Sequence, residues 1–303
     1  MNRSGVSLAD VRKRIDAIDD RLHGLLMERT SLARSVVEAK SGSAAPVYRP
    51  GREAEILRRL VQRHEGEFPK VPLTLIWRQI ISATLGLQGD FVVAVYAADE
   101  SDPRCEIAET HFGAATPLSL HGTVTGVFIA LTRGDASVGV LPFPADSQET
   151  PWWPRLMQYG EGTRGGGRAA IVARLPFVPP RRLSRAGHDS LVIAMQAPEP
   201  TGRDRSFIVV RAGVDTSRAR VHGAFQSRGL ESRLTLTDPD EMDPEATLFL
   251  LEVDGFVENG DPRIAAIAEE IGGEEPVELR VLGAYAEPFA VSEVGSQRGV
   301  REP

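Results

Sequence analysis

The sequence has almost no cysteine: Cys105 stands alone in a chain of 303 residues. A single thiol cannot form an intramolecular disulfide, which excludes a disulfide-stabilised secreted fold and favours a reducing compartment. No apolar run approaches the roughly 20 residues that a membrane-spanning helix needs. The first residues, MNRSGVSLADVRKRI, contain no apolar stretch of the signal-peptide type. We therefore expect a cytoplasmic protein that does not enter a membrane.

Positive charge is scarce outside the N-terminal part of the chain. Residues 1–90 contain 15 Lys and Arg against 11 Asp and Glu, whereas the rest of the chain contains 20 against 31. The net charge of −7 argues against a protein that binds nucleic acid. A mildly basic N-terminal module is instead suited to a small anionic ligand.

Residues 8–40 contain no proline and one glycine, and their apolar residues predict a single long helix. Apolar side chains recur at steps of four and three, the spacing of a heptad seam: Val11, Ile15, Ile18, Leu22, Leu25, Leu32 and Val36. A helix of this length spans roughly 50 Å. It needs a partner along its seam, so we expect a dimer. Pro50 and Pro72 open two further helices with apolar faces.

Polar residues occupy helix positions that the spacing assigns to the interior. Arg29 continues the seam of the first helix, and Lys40 lies about three turns later on nearly the same face. Glu53 is in step with the apolar residues of the second helix. Thr84 and Gln88 continue the apolar series of the third. An unpaired buried cation costs several kcal/mol, so an anion must balance it.

The spacing alone leaves two interpretations open. A structural network of ion pairs, for example between Arg29 and Glu53, would satisfy the charges internally. Cations outnumber carboxylates once Lys40, Arg12 and Arg52 are included, and this surplus favours an external dianion bound inside the helical bundle. Arg12 is about 100° away from Arg29 around a straight helix, so the end of a partner's helix would have to supply it.

Residues 8–88 resemble the all-helical class of chorismate mutase. The resemblance lies in the segments LADVRKRIDAIDDRLHGLLMERTSLARSVVEAK, PVYRPGREAEIL and IWRQIISATLGLQ. It is closest to the mutase domain that is fused to prephenate dehydratase in bifunctional bacterial enzymes. The resemblance implies an intertwined homodimer of three-helix modules that converts chorismate to prephenate. This is a step of phenylalanine and tyrosine biosynthesis, and it needs no metal and no other cofactor.

The resemblance also implies the residues that act on chorismate. Arg29 of one protomer and Arg12 of its partner would each bind a substrate carboxylate. Lys40 and Gln88 would donate hydrogen bonds to the ether oxygen whose bond breaks, and would stabilise the negative charge that grows there. The remaining task of the protein is to hold the reactive conformer of the substrate.

Three further residues would line the same pocket by resemblance. Arg52 would lie at the pocket wall, and Glu53 would accept a hydrogen bond from the substrate hydroxyl. Thr84 stands where the family often has serine, and would keep a hydroxyl near a carboxylate. Arg49 departs from the family pattern, because some members carry an acid at this position.

Residues 91–203 predict an α/β domain that resembles a degenerate prephenate dehydratase. FVVAVYAA, RAAIVARLPF and SLVIAMQA predict buried strands. TVTGVFIALTRGDASVGVLPFP predicts a helix, a turn and a strand, and looks like one stretch of the dehydratase fold. The Gly-rich Thr-Phe-Ser turn, the Glu-Asn-Ser element and the threonine of the Thr-Arg-Phe signature are missing. We expect no dehydratase activity, and we expect Trp152 and Trp153 at the surface.

Residues 204–289 predict the order strand, helix, strand, strand, helix, strand, which is ferredoxin-like. This region resembles the regulatory ACT domain of the same enzymes. Its segment GLESRLTL resembles their Glu-Ser-Arg-Pro motif, with Leu234 in place of proline. The resemblance implies phenylalanine as an effector, and a scaffold that dimerises through its sheet is the alternative. We expect residues 290–303 to be a disordered tail.

The sequence therefore predicts a multi-domain protein. An all-helical chorismate mutase domain (1–90) precedes an α/β dehydratase-like remnant (91–203), an ACT-like α+β domain (204–289) and a tail. The predicted function is that of a chorismate mutase. The alternatives are a bifunctional mutase and dehydratase, and a non-catalytic regulatory protein that binds an aromatic amino acid.

Overall fold

The computed structural model describes residues 7–39, 47–146, 151–158, 168–179, 189–273 and 276–295, and of residues 36–39 it describes the backbone. Three helices come first, as the apolar spacing predicts: α1 (Leu8–Ala39), α2 (Pro50–Arg63) and α3 (Lys70–Leu85). Ser7 caps α1, because its hydroxyl oxygen accepts from the amide of Asp10 at 3.1 Å. No helix in these ranges has the length and the apolar content that a membrane crossing requires.

Nine strands in the described part of the chain form one mixed sheet. In chain order they are β1 (Val93–Tyr96), β2 (Leu118–His121), β3 (Val138–Pro142), β4 (Ala170–Leu175), β5 (Ser190–Ala194), β6 (Asp204–Gly213), β7 (Ser232–Pro239), β8 (Ala246–Asp254) and β9 (Glu278–Ala286). Their order across the sheet is β2-β1-β3-β5-β4-β9-β6-β8-β7. The pairs β1–β2, β1–β3 and β4–β9 are parallel, and the other pairs are antiparallel.

The sheet continues across the predicted domain boundary at residue 203. β4 and β9 meet where Ile171 pairs with Gly283. Gly283 has a φ of 140°, and a Cβ atom there would lie 2.2 Å from the Ile171 carbonyl oxygen. Only glycine permits this approach of the two backbones. The strands of the two regions therefore form one sheet.

Within the described ranges, six helices accompany these strands: α4 (Pro103–Phe112), α5 (Val124–Arg133), α6 (Arg155–Gln158), α7 (Arg218–Ser227), α8 (Pro262–Gly272) and α9 (Val291–Val294). The elements β6, α7, β7, β8, α8 and β9 have the predicted ferredoxin-like order, and both helices pack on one face of their four strands. Trp152 and Trp153 pack on the other face and are 2% and 1% exposed. The prediction that both side chains lie at the surface is therefore wrong, because they pack on this apolar face of the sheet and shield it from water.

The predicted disordered tail is also wrong for the residues that the structure describes beyond 289. α9 lies there, and the Glu293 carboxylate accepts from the Arg203 guanidinium at 2.6 Å. Its backbone carbonyl accepts from Lys70 Nζ at 3.3 Å. Val294 is buried beside Phe289 in an apolar cluster. These contacts hold the segment on the protein, while residues 296–303 lie outside the described part.

The helical module packs tightly on the region that follows it. Leu57 of α2 is fully buried in a cluster with Phe177 and Phe289. Arg58 donates to the Thr201 hydroxyl at 2.8 Å and to two backbone carbonyls of the C-terminal region. α2 is consequently held in place by residues far beyond residue 90.

Candidate active site

The predicted apolar seam of α1 is exposed to solvent in the single chain. Its six described members are between 40% and 62% exposed: Val11, Ile15, Ile18, Leu22, Leu25 and Leu32. A row of exposed apolar side chains on a long helix is typical of a protein interface. The side chain of Val36, the last predicted member, lies outside the described residues.

Arg29 lies on the same seam but is half-buried. Its Nη1 atom is buried and has no hydrogen-bond partner among the described residues. Burial lowers the pKa of this guanidinium from its ordinary value, because a low-polarity environment disfavours the charged form. No carboxylate of the described chain lies within ion-pair distance of it. The suggested pair between Arg29 and Glu53 is therefore not formed.

Arg12 is exposed near the start of α1. It is 17 residues before Arg29, which places the two about 25 Å apart along the helix axis. They cannot share one ligand within a single chain. Lys40, the predicted donor to the ether oxygen, lies outside the described residues, so its position stays a prediction.

Glu53 forms a buried ion pair with Arg78 of α3. The Arg78 Nη1 atom donates to Glu53 Oε2, and the two side chains are 3% and 7% exposed. Burial raises the pKa of the Glu53 carboxyl, and the positive charge of Arg78 acts in the opposite direction. The spacing correctly predicts that Glu53 faces the interior, where the partner is an arginine of the same chain.

Aromatic and polar groups surround this ion pair. The Arg78 guanidinium faces the ring of Phe177, with Cζ 5.4 Å from the ring centroid. The Tyr48 hydroxyl is 3.2 Å from His111 Nε2. Burial and the nearby charge of Arg78 hold the pKa of His111 well below its usual value. Burial and the charge of Glu53 raise the pKa of the Tyr48 phenol. The cluster therefore contains one basic group, Arg78, and one carboxyl group, Glu53, in direct contact.

Arg49 and Arg52 lie at the start of α2 with exposed side chains. Arg52 forms an ion pair with Glu55, one helical turn later, at 2.9 Å. Arg49 holds both carboxylate oxygens of Glu199, with its shortest contact at 2.7 Å. The exposed side chain of Arg52 is thus free to exchange its partner at small cost.

Thr84 and Gln88 turn towards the backbone of their own helix end. The Thr84 hydroxyl donates to the Ile81 carbonyl at 2.6 Å. The Gln88 Nε2 atom donates to the Thr84 carbonyl at 3.2 Å. The described residues contain no other side-chain hydrogen bond that joins two of the predicted ligands. Both side chains thus donate to backbone carbonyls of their own helix end.

Arg78 is the site residue that the sequence interpretation missed. It is three residues before Ile81 and seven before Leu85, and all three side chains are buried. This spacing places it on the interior face of α3. The same argument that singled out Glu53 would have found it.

The helical module has recognisable relatives. Residues 11–89 match the family model described as chorismate mutase type II. This segment is a chorismate mutase type II domain. The chorismate mutase of Methanocaldococcus jannaschii is 42% identical over 60 residues, which are 19% of this chain and 61% of that protein.

Longer alignments extend beyond the mutase domain. The bifunctional chorismate mutase/prephenate dehydratase of Aquifex aeolicus is 34% identical over 139 residues, 45% of this chain. The Pseudomonas aeruginosa protein of the same name is 31% identical over 140 residues, again 45% of this chain. Each alignment covers 38% of the relative. The chain therefore spans less than two-fifths of the length of the bifunctional relatives that it matches.

Solved structures with a similar chain path are more distant. The prephenate dehydratase of Streptococcus mutans is 15% identical with a TM-score of 0.45. The match covers 65% of this chain and 98% of the dehydratase chain. The quorum-quenching acylase GqqA is 16% identical with a TM-score of 0.49. The match covers 67% of this chain and 97% of GqqA. Scores below 0.5 are too low to define a shared fold.

Proposed function

We propose that this chain is a chorismate mutase, an isomerase that rearranges chorismate to prephenate in the cytoplasm during phenylalanine and tyrosine biosynthesis. The observation that carries the proposal is the Arg29 Nη1 atom, buried without a partner inside a chorismate mutase type II domain. A buried cation with no acid beside it requires an anion. Chorismate, with two carboxylates, supplies one.

The residue types fit a pericyclic rearrangement. The reaction breaks a carbon–oxygen bond and forms a carbon–carbon bond within one molecule, so it needs no nucleophile and no proton relay. The protein contributes by holding the reactive conformer and by opposing the negative charge on the ether oxygen. Lys40 and Gln88 are the proposed donors to that oxygen. The Gln88 amide would leave the Thr84 carbonyl, a bond of 3.2 Å, when it turns to the substrate.

The pocket requires a second copy of the chain. The exposed α1 seam supports a homodimer in which two long helices cover each other. Arg12 is about 25 Å from Arg29 along one helix, so the substrate carboxylate held by Arg12 would lie in the partner's pocket. Each active site would thus combine residues of both protomers.

The other predicted ligands complete this pocket. Glu53 would accept from the substrate hydroxyl through the carboxylate oxygen that does not bind Arg78. Thr84 would place its hydroxyl near a carboxylate. Arg52 is exposed and paired with Glu55 at 2.9 Å, so it would close the pocket wall when substrate arrives.

A spectrophotometric assay of chorismate disappearance, with the purified full chain, tests the proposal. Turnover far above the uncatalysed rate is the expected result. The assay must use the full chain, because Leu57 of the mutase domain is buried against Phe177 and Phe289. No turnover at any protein concentration would refute the proposal, and a melting temperature raised by phenylalanine would then favour the regulatory alternative.

The bifunctional alternative has one observation in its favour: alignments of 139 and 140 residues with bifunctional relatives are longer than the 79 residues of the mutase match. The missing dehydratase motifs argue against it. We propose that the region after residue 90 has no dehydratase activity. Prephenate incubated with the protein at neutral pH should give phenylpyruvate no faster than the blank. Phenylalanine as an effector of the ACT-like region stays a proposal from the Glu231–Leu234 motif.

A further inference from the structure

We propose that Arg78 is a positioning residue for the mutase reaction, and that it is held in place by side chains outside the mutase domain. The inference rests on the proposed function, because Arg78 would act through Glu53. Arg78 forms an ion pair with the Glu53 carboxylate and with no other predicted ligand among the described residues. Its effect on chorismate would therefore pass through that one contact.

The ion pair fixes the orientation of Glu53. Arg78 approaches from α3, while Glu53 lies in the first turn of α2, so the pair bridges the two helices that form one wall of the proposed pocket. It binds Oε2, and Oε1 is the oxygen that would meet the substrate hydroxyl. Both side chains are almost fully buried, so water cannot easily replace the guanidinium. Rotation of Glu53 would leave both charges uncompensated.

Residues after position 90 hold the guanidinium. Phe177, from the segment after β4, lies under its face with a distance of 5.4 Å from Cζ to the ring centroid. The Arg78 Nε atom is buried and has no hydrogen-bond partner in the described structure, which fits a guanidinium that rests on an aromatic ring. His111 of α4 lies near enough for the charge of Arg78 to lower its pKa, and its Nε2 atom is 3.2 Å from the Tyr48 hydroxyl. The C-terminal region thus sets the position of Arg78.

The charges around Glu53 determine how its pKa would change if Arg78 were removed. The titratable groups of this cluster are Arg78 from α3, which pairs with Glu53, Tyr48 from the segment before α2, on which the charge of Glu53 acts, and His111 from α4, on which the charge of Arg78 acts. Of these, Arg78 carries the charge that lowers the pKa of Glu53, while burial raises it. Removal of Arg78 would raise that pKa further. The ionised carboxylate would then form at higher pH than in the wild type.

The test compares the pH dependence of kcat/KM in the full-length wild type, Arg78→Gln, Arg78→Lys, Glu53→Gln and the double variant of Arg78→Gln with Glu53→Gln. Arg59→Gln, an exposed arginine of α2, is the matched control. We expect Arg78→Gln to lower kcat/KM at neutral pH by about 10- to 100-fold, the effect of a contact misplaced by about 1 Å. The acidic limb of its pH profile, where kcat/KM falls as the pH is lowered, should move to higher pH. The limb shift should vanish in the double variant, and Arg59→Gln should match the wild type.

A residue with a purely structural role would lower the melting temperature and leave the acidic limb where it is. That result in Arg78→Gln, with an active wild type, would overturn this inference alone. An inactive wild type would overturn the proposed function and this inference together. If Arg78→Gln does not fold, Arg78→Lys decides. It keeps the charge and loses the planar contact with Phe177, so a lowered kcat with an unchanged KM and an unchanged melting temperature supports positioning, and an unchanged kcat refutes it.

Discussion

Replacing both Ile18 and Leu22 of α1 with alanine should split the proposed dimer. The two side chains are 52% and 54% exposed, so a partner helix would remove about half of their surface from water. Full burial of such a side chain stabilises by about 1.5–3 kcal/mol. Burial of the half that is still exposed in the single chain should therefore contribute about 1 kcal/mol. A twofold dimer contains each residue twice. The double variant should lose about 4 kcal/mol of association free energy, which raises the dimer dissociation constant close to 1000-fold.

Sedimentation equilibrium over a dilution series measures this change, since the wild type should show twice the 32.9 kDa of one chain. Specific mutase activity should fall with the dimer fraction, because each proposed pocket would use Arg12 of the partner. Met27→Ala is the matched control: Met27 is 53% exposed but about 180° around the helix from Ile18. A wild type that sediments as one chain at micromolar concentration, or a double variant as dimeric as Met27→Ala, would refute the reasoning.

Three further experiments test the site and the packing. Lys40→Ala or Gln88→Ala should remove most turnover while the melting temperature and the dimer persist; near-wild-type rates in either would contradict the proposed donors. Arg12→Ala mixed with Lys40→Ala should regain part of the activity after subunit exchange, and no gain despite proven exchange would argue against a shared pocket. Leu57→Ala should destabilise the chain by about 2–5 kcal/mol in urea unfolding. A loss under about 1 kcal/mol would show that α2 is not anchored there.

The parts of the fold that the sequence predicts are those with strong local signals. Proline at position 50 and regular apolar spacing define the mutase helices, and alternating strand and helix patterns define β6 to β9. α4 was missed although Asp102 caps it and Pro103 opens it, because the segment has little apolar contrast. β2 was missed because its four residues are only half-buried.

Features that depend on distant contacts could not be predicted from spacing. The single sheet depends on one meeting point between β4 and β9, at Ile171 and Gly283. The ordered segment around Glu293 depends on Arg203, 90 residues earlier in the chain. Nothing local in either segment marks its partner. A glycine inside a strand is a hint of close backbone approach, but it does not say which strand approaches.

The sequence predicts which residues of the candidate site face the interior. It does not predict which of them form ion pairs with one another. Spacing alone places Glu53 and Arg29 in the interior, and the structure has the first buried and the second half-buried. The partner of Glu53 was not predictable, because Arg78 lies 25 residues later on another helix. Two helices must be docked before their charges can be matched.

The two interpretations that the spacing left open apply to different residues. Glu53 belongs to an internal ion pair with Arg78, so its charge is already balanced by the protein. Arg29 has no such acid among the described residues. The one seam carboxylate is therefore not available to neutralise the seam cations. The proposed seam cations that remain, Arg29, Lys40 and Arg12 of a partner protomer, more than balance the two negative charges of a dicarboxylate. This balance favours a bound dianion over a larger salt-bridge network in the mutase pocket.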